Sequence, residues 1–375
     1  MTSERPGLYI HIPFCLSKCG YCSFYSVTAT HLIDVTVNAI IQEMGLYRDF
    51  FFFFDTIYIG GGTPSLLSIR QMDSILKSAN KNFDISRRAE ITMEVNPGDV
   101  SLEYFQDLKR LGINRLNICI QSFDDQILKF LGRRHSAKEA VAAISAARKA
   151  GFKNIGIDLI YGIWGQDIKS WEKTLQKALS FKPAHLSCYQ LSLDDKTPLY
   201  KRYQQDGLKM PSEGEALDFF MTTSRVLTEA GYIHYEVSNF AQRDSRKSKH
   251  NAKYWRHAPY LGMGPAAHSF DGENRWWNTT DLDAYLKAAY EGKKPVKKSE
   301  CLTQTQLALE ALFLGMRTKD GIDLEQYKTC YGSDLLTEKN RTINDLIKNE
   351  LVELKNGRLC PTLAGMAVAD SLALI

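Results

Sequence analysis

Cys15, Cys19 and Cys22 form a CxxxCxxC loop within the run Tyr9-Ile-His-Ile-Pro-Phe-Cys-Leu-Ser-Lys-Cys-Gly-Tyr-Cys. Thiolates at this spacing can hold three irons of a 4Fe-4S cube and leave the fourth iron without a protein ligand. That open iron is where chemistry can take place. A structural zinc ion would need four ligands, and His11 is the one nearby candidate for the fourth. The remaining cysteines, Cys119, Cys188, Cys301, Cys330 and Cys360, stand singly in apolar stretches, which predicts buried free thiols.

The loop resembles that of the radical SAM superfamily. There S-adenosylmethionine (SAM) chelates the open iron, and an electron from the cluster cleaves the sulfonium to release a 5'-deoxyadenosyl radical. Other residues suit such a ligand. Gly60-Gly61-Gly62-Thr63-Pro64 follows a predicted strand, so the backbone at Gly61 and Gly62 can approach a ligand while Thr63 offers a hydroxyl. Glu94 is a carboxylate among apolar neighbours and needs partners, either ribose hydroxyls or an internal salt bridge. Gln121 supplies an amide, and Arg134 a guanidinium that can fork onto the SAM carboxylate; the neighbouring Arg133 is the second choice. Asp158 sits inside an apolar strand, where an acid must be paired or bind a ligand.

Strand patterns at 8–12, 56–60, 89–95, 115–120, 154–160 and 185–191 alternate with helical patterns at 32–49, 69–80, 102–111, 137–150 and 170–179. This alternation predicts an α/β fold with a parallel sheet, whose carboxyl edge carries the site. The phenylalanine run 50–54 reads as a helix end packing into the core. The rhythm changes near residue 240, which divides the chain into 1–240 and 241–375. In the tail, 324–375, helical patterns lead to a hairpin around Asn356-Gly357.

The chain has 375 residues, 44% of them hydrophobic, with a net charge of +4 from 47 basic and 43 acidic side chains. This near balance predicts no general nucleic-acid role. The basic clusters 243–249 and 293–298 read as solvated loops. No signal-peptide pattern opens the chain and no stretch approaches ~18 apolar residues, so a cytoplasmic protein is expected.

Taken in order, HIPFCxxxCxYC, GGGTP, EVNP, QSF, LxRxH and DLIYG resemble the family of oxygen-independent coproporphyrinogen III dehydrogenase and its relatives. The resemblance implies a partial (β/α)6 radical SAM barrel, then a smaller, mostly helical C-terminal domain with a winged-helix-like hairpin. It also implies that Tyr9 and the Tyr21 backbone touch SAM. Two features depart from the dehydrogenase: Phe24 stands where that enzyme has a further cysteine, and only eight residues precede Tyr9. Both look like HemW-type haem chaperones, which bind haem as cargo and deliver it to haem-requiring client proteins, including clients at a membrane surface. A homodimer is compatible with this resemblance.

His250-Asn-Ala-Lys-Tyr-Trp255 is similar to the HNxxYW pattern of that group, within a haem-motif region spanning 250–277. The resemblance makes His250 the expected haem ligand, with Tyr254 and Trp255 covering porphyrin edges and His257 and His268 as substitutes.

Overall fold

The computed structural model describes residues 4–51 and 53–372. Its first half alternates strand and helix: β1 (Gly7–Ile12), α1 (Ile33–Leu46), β2 (Phe53–Gly61), α2 (Ile69–Asn82), β3 (Asp84–Val95), α3 (Leu102–Arg110) and β4 (Arg115–Gln121). Next come α4 (Asp125–Leu131), α5 (Ala137–Lys149), β5 (Ile155–Tyr161), α6 (Ile168–Ser180) and β6 (His185–Gln190). These six strands lie side by side in parallel and in chain order. Ser68 and Ser136 open α2 and α5 with capping boxes, and Asp124 and Asp167 cap α4 and α6. The caps satisfy amide donors that each helix start leaves free. The helices bury their apolar stripes, including Met72, Ile75, Ile144 and Trp171, against the sheet.

The phenylalanine run does not end a helix. Phe53 and Phe54 begin β2, with Phe54 fully buried against Phe51 and Phe83. Aromatic residues fit the half-buried surface of a strand.

After β6 come α7 (Pro198–Asp206), α8 (Glu213–Glu229), β7 (Ile233–Glu236), β8 (Asn239–Ala241) and α9 (Lys249–Trp255). Then β9 (Tyr260–Met263), β10 (His268–Phe270), β11 (Asn274–Asn278), α10 (Leu282–Tyr290) and β12 (Val296–Cys301) follow. The sheet does not stop at residue 240. β9 pairs in parallel with β1, and β10 to β12 extend the same sheet antiparallel, making twelve strands among the described residues. Leu261, Met263, Trp276 and Tyr285 join the main core, so the sheet domain runs on to Cys301. The basic cluster 293–298 is not simply a loop: Lys297 and Lys298 are exposed on β12, the edge strand, where charge discourages pairing with another chain.

A second core lies beyond residue 301. It is built from α11 (Gln304–Gly315), β13 (Ile322–Asp323), α12 (Leu324–Tyr331), α13 (Leu335–Glu338), α14 (Asn340–Lys348), β14 (Val352–Lys355) and β15 (Arg358–Pro361). β14 and β15 form the expected hairpin, with Asn356 at φ 50° and Gly357 at φ 72°. Two left-handed residues give the twist of a tight hairpin turn. Among the described residues, no helix is long and apolar enough to cross a membrane.

Candidate functional site

The cysteine loop leaves the carboxyl end of β1 and is fixed at its base, where the Cys15 amide donates to Val27 O at 3.0 Å. Inside it, the Cys22 amide donates to Cys19 O at 3.2 Å. Thr63 Oγ1 donates to Cys15 Sγ at 3.3 Å, and Arg133 Nη1 lies 3.6 Å from Cys19 Sγ. Two of the three sulfurs thus each have a polar donor beside them. Among the described residues, no three His, Cys, Asp or Glu side chains converge on a single-ion site. Three soft sulfur donors spread along one loop suit the larger iron-sulfur cube.

Of the other cysteines, Cys188 and Cys360 are buried, Cys119 and Cys330 are half-buried, and Cys301 is exposed. The expectation of burial therefore fails at Cys301, which lies on the sheet's edge strand.

At the end of β2 the glycines form a cradle. A Cβ on Gly60 would come within 2.9 Å of Glu94 Oε2, and one on Gly62 within 2.7 Å of Phe14 O. Gly61 has φ 110°, open to glycine alone, and its amide donates to Glu94 Oε2 at 3.2 Å. Tyr58 OH donates to the other Glu94 oxygen at 2.7 Å. Burial, reinforced by the nearby Asp158 charge, pushes the Glu94 carboxyl up to about 7. Glu94 thus forms hydrogen bonds rather than a salt bridge.

Asp158 Oδ2 accepts from Asn117 Nδ2 at 2.5 Å and lies 3.6 Å from Cys119 Sγ. Asp158 Oδ1, Asn117 Oδ1 and Arg133 Nε are buried without hydrogen-bond partners. Orphaned polar atoms facing one cavity mark a place where a ligand completes the network. That cavity has a volume of about 370 Å³, and Gly61, Gly62, Thr63, Glu94, Gln121 and Asp158 all line it. Gln121 closes β4 at φ 67°, a strained conformation for a non-glycine residue.

Arg133, not Arg134, faces this cavity. Arg134 turns outward and places one nitrogen 2.8 Å from both Asp99 carboxylate oxygens. Arg133 donates to Asn96 Oδ1 at 2.7 Å and to Cys119 O at 2.8 Å. The Leu131-Gly-Arg-Arg-His run follows a helix that ends on Gly132 at φ 72°, and this turn decides which arginine points inward. Tyr21 lines the cavity, whereas Tyr9 sits behind the lining, its OH 2.9 Å from His11 Nδ1 and its ring tilted against Tyr58.

Arg115 and Asn117, which no motif singles out, also line the cavity, and so does Cys119, expected only as a buried free thiol. Together with Gln121 they occupy alternate positions of β4, so all four point to the same face. The period of two in their polarity was the available signal.

The site fits a cluster and SAM on its sulfur donors, glycine cradle and orphaned atoms. The thiolates of Cys15, Cys19 and Cys22 would hold the cluster. Gly61, Gly62, Thr63, Glu94, Gln121, Arg133 and Asp158 would hold SAM, with the Arg133 cation matched to its carboxylate. When bound, the cluster supplies an open iron and an electron, and SAM supplies the cleavable sulfonium. The chain's own contribution is binding and orientation.

His250 lies elsewhere. It is 1% exposed, with Nδ1 2.9 Å from Thr56 Oγ1 and Nε2 2.9 Å from Tyr254 OH. Burial, together with the charges of Lys253 and Arg115, lowers its pKa to about 3. Both ring nitrogens are engaged inside the fold, so in this conformation His250 is a core imidazole and not an available haem ligand. The same helix sends Asn251 to the cavity. Tyr254 bonds His250, while Trp255 lines a separate cleft. His257 borders that cleft too, and His268 stacks on Trp277 at the surface.

Comparison with known proteins agrees with this geometry. The Radical SAM superfamily matches residues 9–178 and the HemN C-terminal domain matches residues 302–368. The protein named heme chaperone HemW from Lactococcus lactis is 34% identical, covering 99% of this chain and 97% of its own length. The mitochondrial radical S-adenosyl methionine domain-containing protein 1 of Mus musculus is 32% identical over 100% of this chain and 87% of its own. Among solved structures, the Escherichia coli coproporphyrinogen III oxidase HemN, described as a radical SAM enzyme, superposes with a TM-score of 0.84 at 25% identity. That superposition covers 99% of this chain and 90% of the enzyme. With its cysteine loop and glycine cradle at the strand ends and relatives matched over nearly their full length, the chain belongs to the HemN/HemW-like family of the radical SAM superfamily.

Proposed function

We propose that this protein is a haem chaperone, which binds haem as cargo and passes it to haem-requiring client proteins, using a 4Fe-4S cluster and SAM. The observation that carries this reading is Phe24. It stands at the cavity mouth, two residues after Cys22, and is 69% exposed. A phenyl ring there supplies neither a thiol nor a charge to hold a porphyrinogen propionate. The full-length likeness to proteins named heme chaperone HemW supports the same reading. Cytoplasmic haem proteins, or clients at a membrane surface, would receive the cargo. The second core, with its helices and hairpin, would act as a winged-helix-like module docking partners rather than nucleic acid.

A second reading is radical decarboxylation of coproporphyrinogen, favoured by the superposition on the coproporphyrinogen III oxidase. One anaerobic experiment separates the two. Reconstituted protein is titrated with haem, and a parallel sample is offered coproporphyrinogen III. Saturable haem binding with no turnover supports the chaperone. Turnover within the common enzymatic range of ~1 to 10³ per second would establish the dehydrogenase instead.

A further inference from the structure

Below the SAM ligands the cavity reaches Arg115, the first residue of β4. Its guanidinium is 1% exposed, yet Nε and Nη1 have no hydrogen-bond partner. His185 opens β6, on the far side of β5, and is equally buried with Nδ1 unpaired. Asn117 Oδ1 is a third buried atom without a partner. Leaving such groups unpaired is costly, so their convergence marks a site that a bound molecule completes.

They converge at Gly156, on the strand between them. A Cβ there would stand 2.6 Å from Asn117 Oδ1 and 3.5 Å from both Arg115 Nη2 and His185 Nδ1. The donor pattern decides what fits. Arg115 can only donate. Burial, with the Arg115 charge, holds the His185 pKa well below the ordinary histidine value, so the ring is neutral. Ser248 N donates to Tyr235 OH at 3.4 Å, and among the described residues the Tyr235 proton has no acceptor but His185 Nε2, 2.7 Å away. The ring proton therefore sits on Nδ1 and faces Gly156. A water molecule accepts from Arg115 and His185 and donates to Asn117 Oδ1, which satisfies all three. An anion would leave Asn117 Oδ1 without a donor.

The other end of the same amide acts on the SAM site. Asn117 Nδ2 donates to Asp158 Oδ2 at 2.5 Å, while Asp158 Oδ1 stays free for a ligand. A reversed amide would set its oxygen against the carboxylate. Burial pushes the Asp158 carboxyl up, and the Asn117 bond is one of those that pull it back.

We propose that Arg115 and His185 hold a buried water at Gly156, and that this water fixes the Asn117 amide as the positioning residue that aims Asp158 at SAM. The relay runs from Tyr235 through His185, the water and Asn117 to Asp158.

The test has two readouts on the full-length protein: a high-resolution crystal structure, and SAM affinity of the reconstituted protein by equilibrium dialysis. Wild type should show an ordered water bonded to Arg115, His185 and Asn117. Gly156→Ala displaces it and should weaken SAM binding about tenfold, the effect of losing a hydrogen bond to a charged group. Gly156→Ser carries the same Cβ and adds a hydroxyl in the water's place, so it should bind SAM within about threefold of wild type. A Gly156→Ala protein that binds SAM like wild type overturns the proposal, and so does a serine variant as weak as the alanine one, because the loss would then be steric. If Gly156→Ala does not fold, Asn117→Leu, which keeps the volume and loses the amide, should show the same tenfold loss, and unchanged affinity there overturns the positioning role. Wild type that binds no SAM would sink the SAM reading itself, whereas a crystal structure with no water at Gly156 sinks this inference alone.

Discussion

The Arg133 guanidinium lies 3.6 Å from Cys19 Sγ, so the cation chosen to face the SAM cavity also touches a cluster ligand. Arg134, one residue on, is tied to Asp99 and takes no part in the cavity. Charge-assisted bonds to a carboxylate contribute about 1.5 to 3 kcal/mol. Arg133→Ala should therefore weaken SAM binding at least tenfold, measured on the reconstituted protein. Arg134→Ala should leave SAM affinity within about twofold, because a partly exposed ion pair is worth about 1 kcal/mol of stability at most.

Replacing Cys15, Cys19 or Cys22 with Ala should abolish the iron-sulfur absorbance and the SAM-induced change in the reduced cluster's electron paramagnetic resonance signal. The same substitution at Cys119, Cys188, Cys301, Cys330 or Cys360 should leave the cluster in place. Iron and sulfide analysis of each purified variant checks both halves. A cluster retained in full by any of the first three would overturn the assignment.

Thr56 Oγ1 holds His250 Nδ1 from the neighbouring strand. Thr56→Val leaves that buried nitrogen without a partner, at an expected cost of about 1 to 3 kcal/mol. Urea unfolding midpoints measure the loss. The folded Thr56→Val protein should still bind haem as tightly as wild type. A haem affinity that fell with the loss of this hydrogen bond would return His250 to the cargo site.

Glu43 on α1 is fully buried, accepting from Tyr285 OH at 2.6 Å, Asn278 Nδ2 at 2.6 Å and Gly264 N at 2.8 Å. Burial outweighs these bonds and raises its carboxyl from the ordinary 4.5 to about 7. The folded state thus holds this proton more tightly than the unfolded chain does. The stabilisation is fully present below pH 4.5 and is lost as pH rises through about 7. Glu43→Gln should remove this contribution to the pH dependence, a few kcal/mol across the window. Glu94 and Glu236 are raised in the same direction, so part of the slope should remain. Chemical denaturation of both proteins at several pH values reads the difference.

The sequence by itself determined the local features. Cysteine spacing, a glycine run after a strand and the alternation of strand and helix patterns are set by neighbours in the chain, and they placed the cluster loop, the cradle and six parallel strands. Tertiary structure decided what depends on direction and on distant partners. Whether Arg133 or Arg134 turns inward follows from a left-handed turn at Gly132 and from Asp99, which lies 35 residues away in the chain. The pairing of β9 with β1 joins residues some 250 positions apart, a contact that no local pattern encodes. His250 carries a ligand's chemistry, but Thr56, 194 residues away, and Tyr254 engage both of its nitrogens. A side chain's type sets what it can bind; the packing around it decides which atoms remain free to do so.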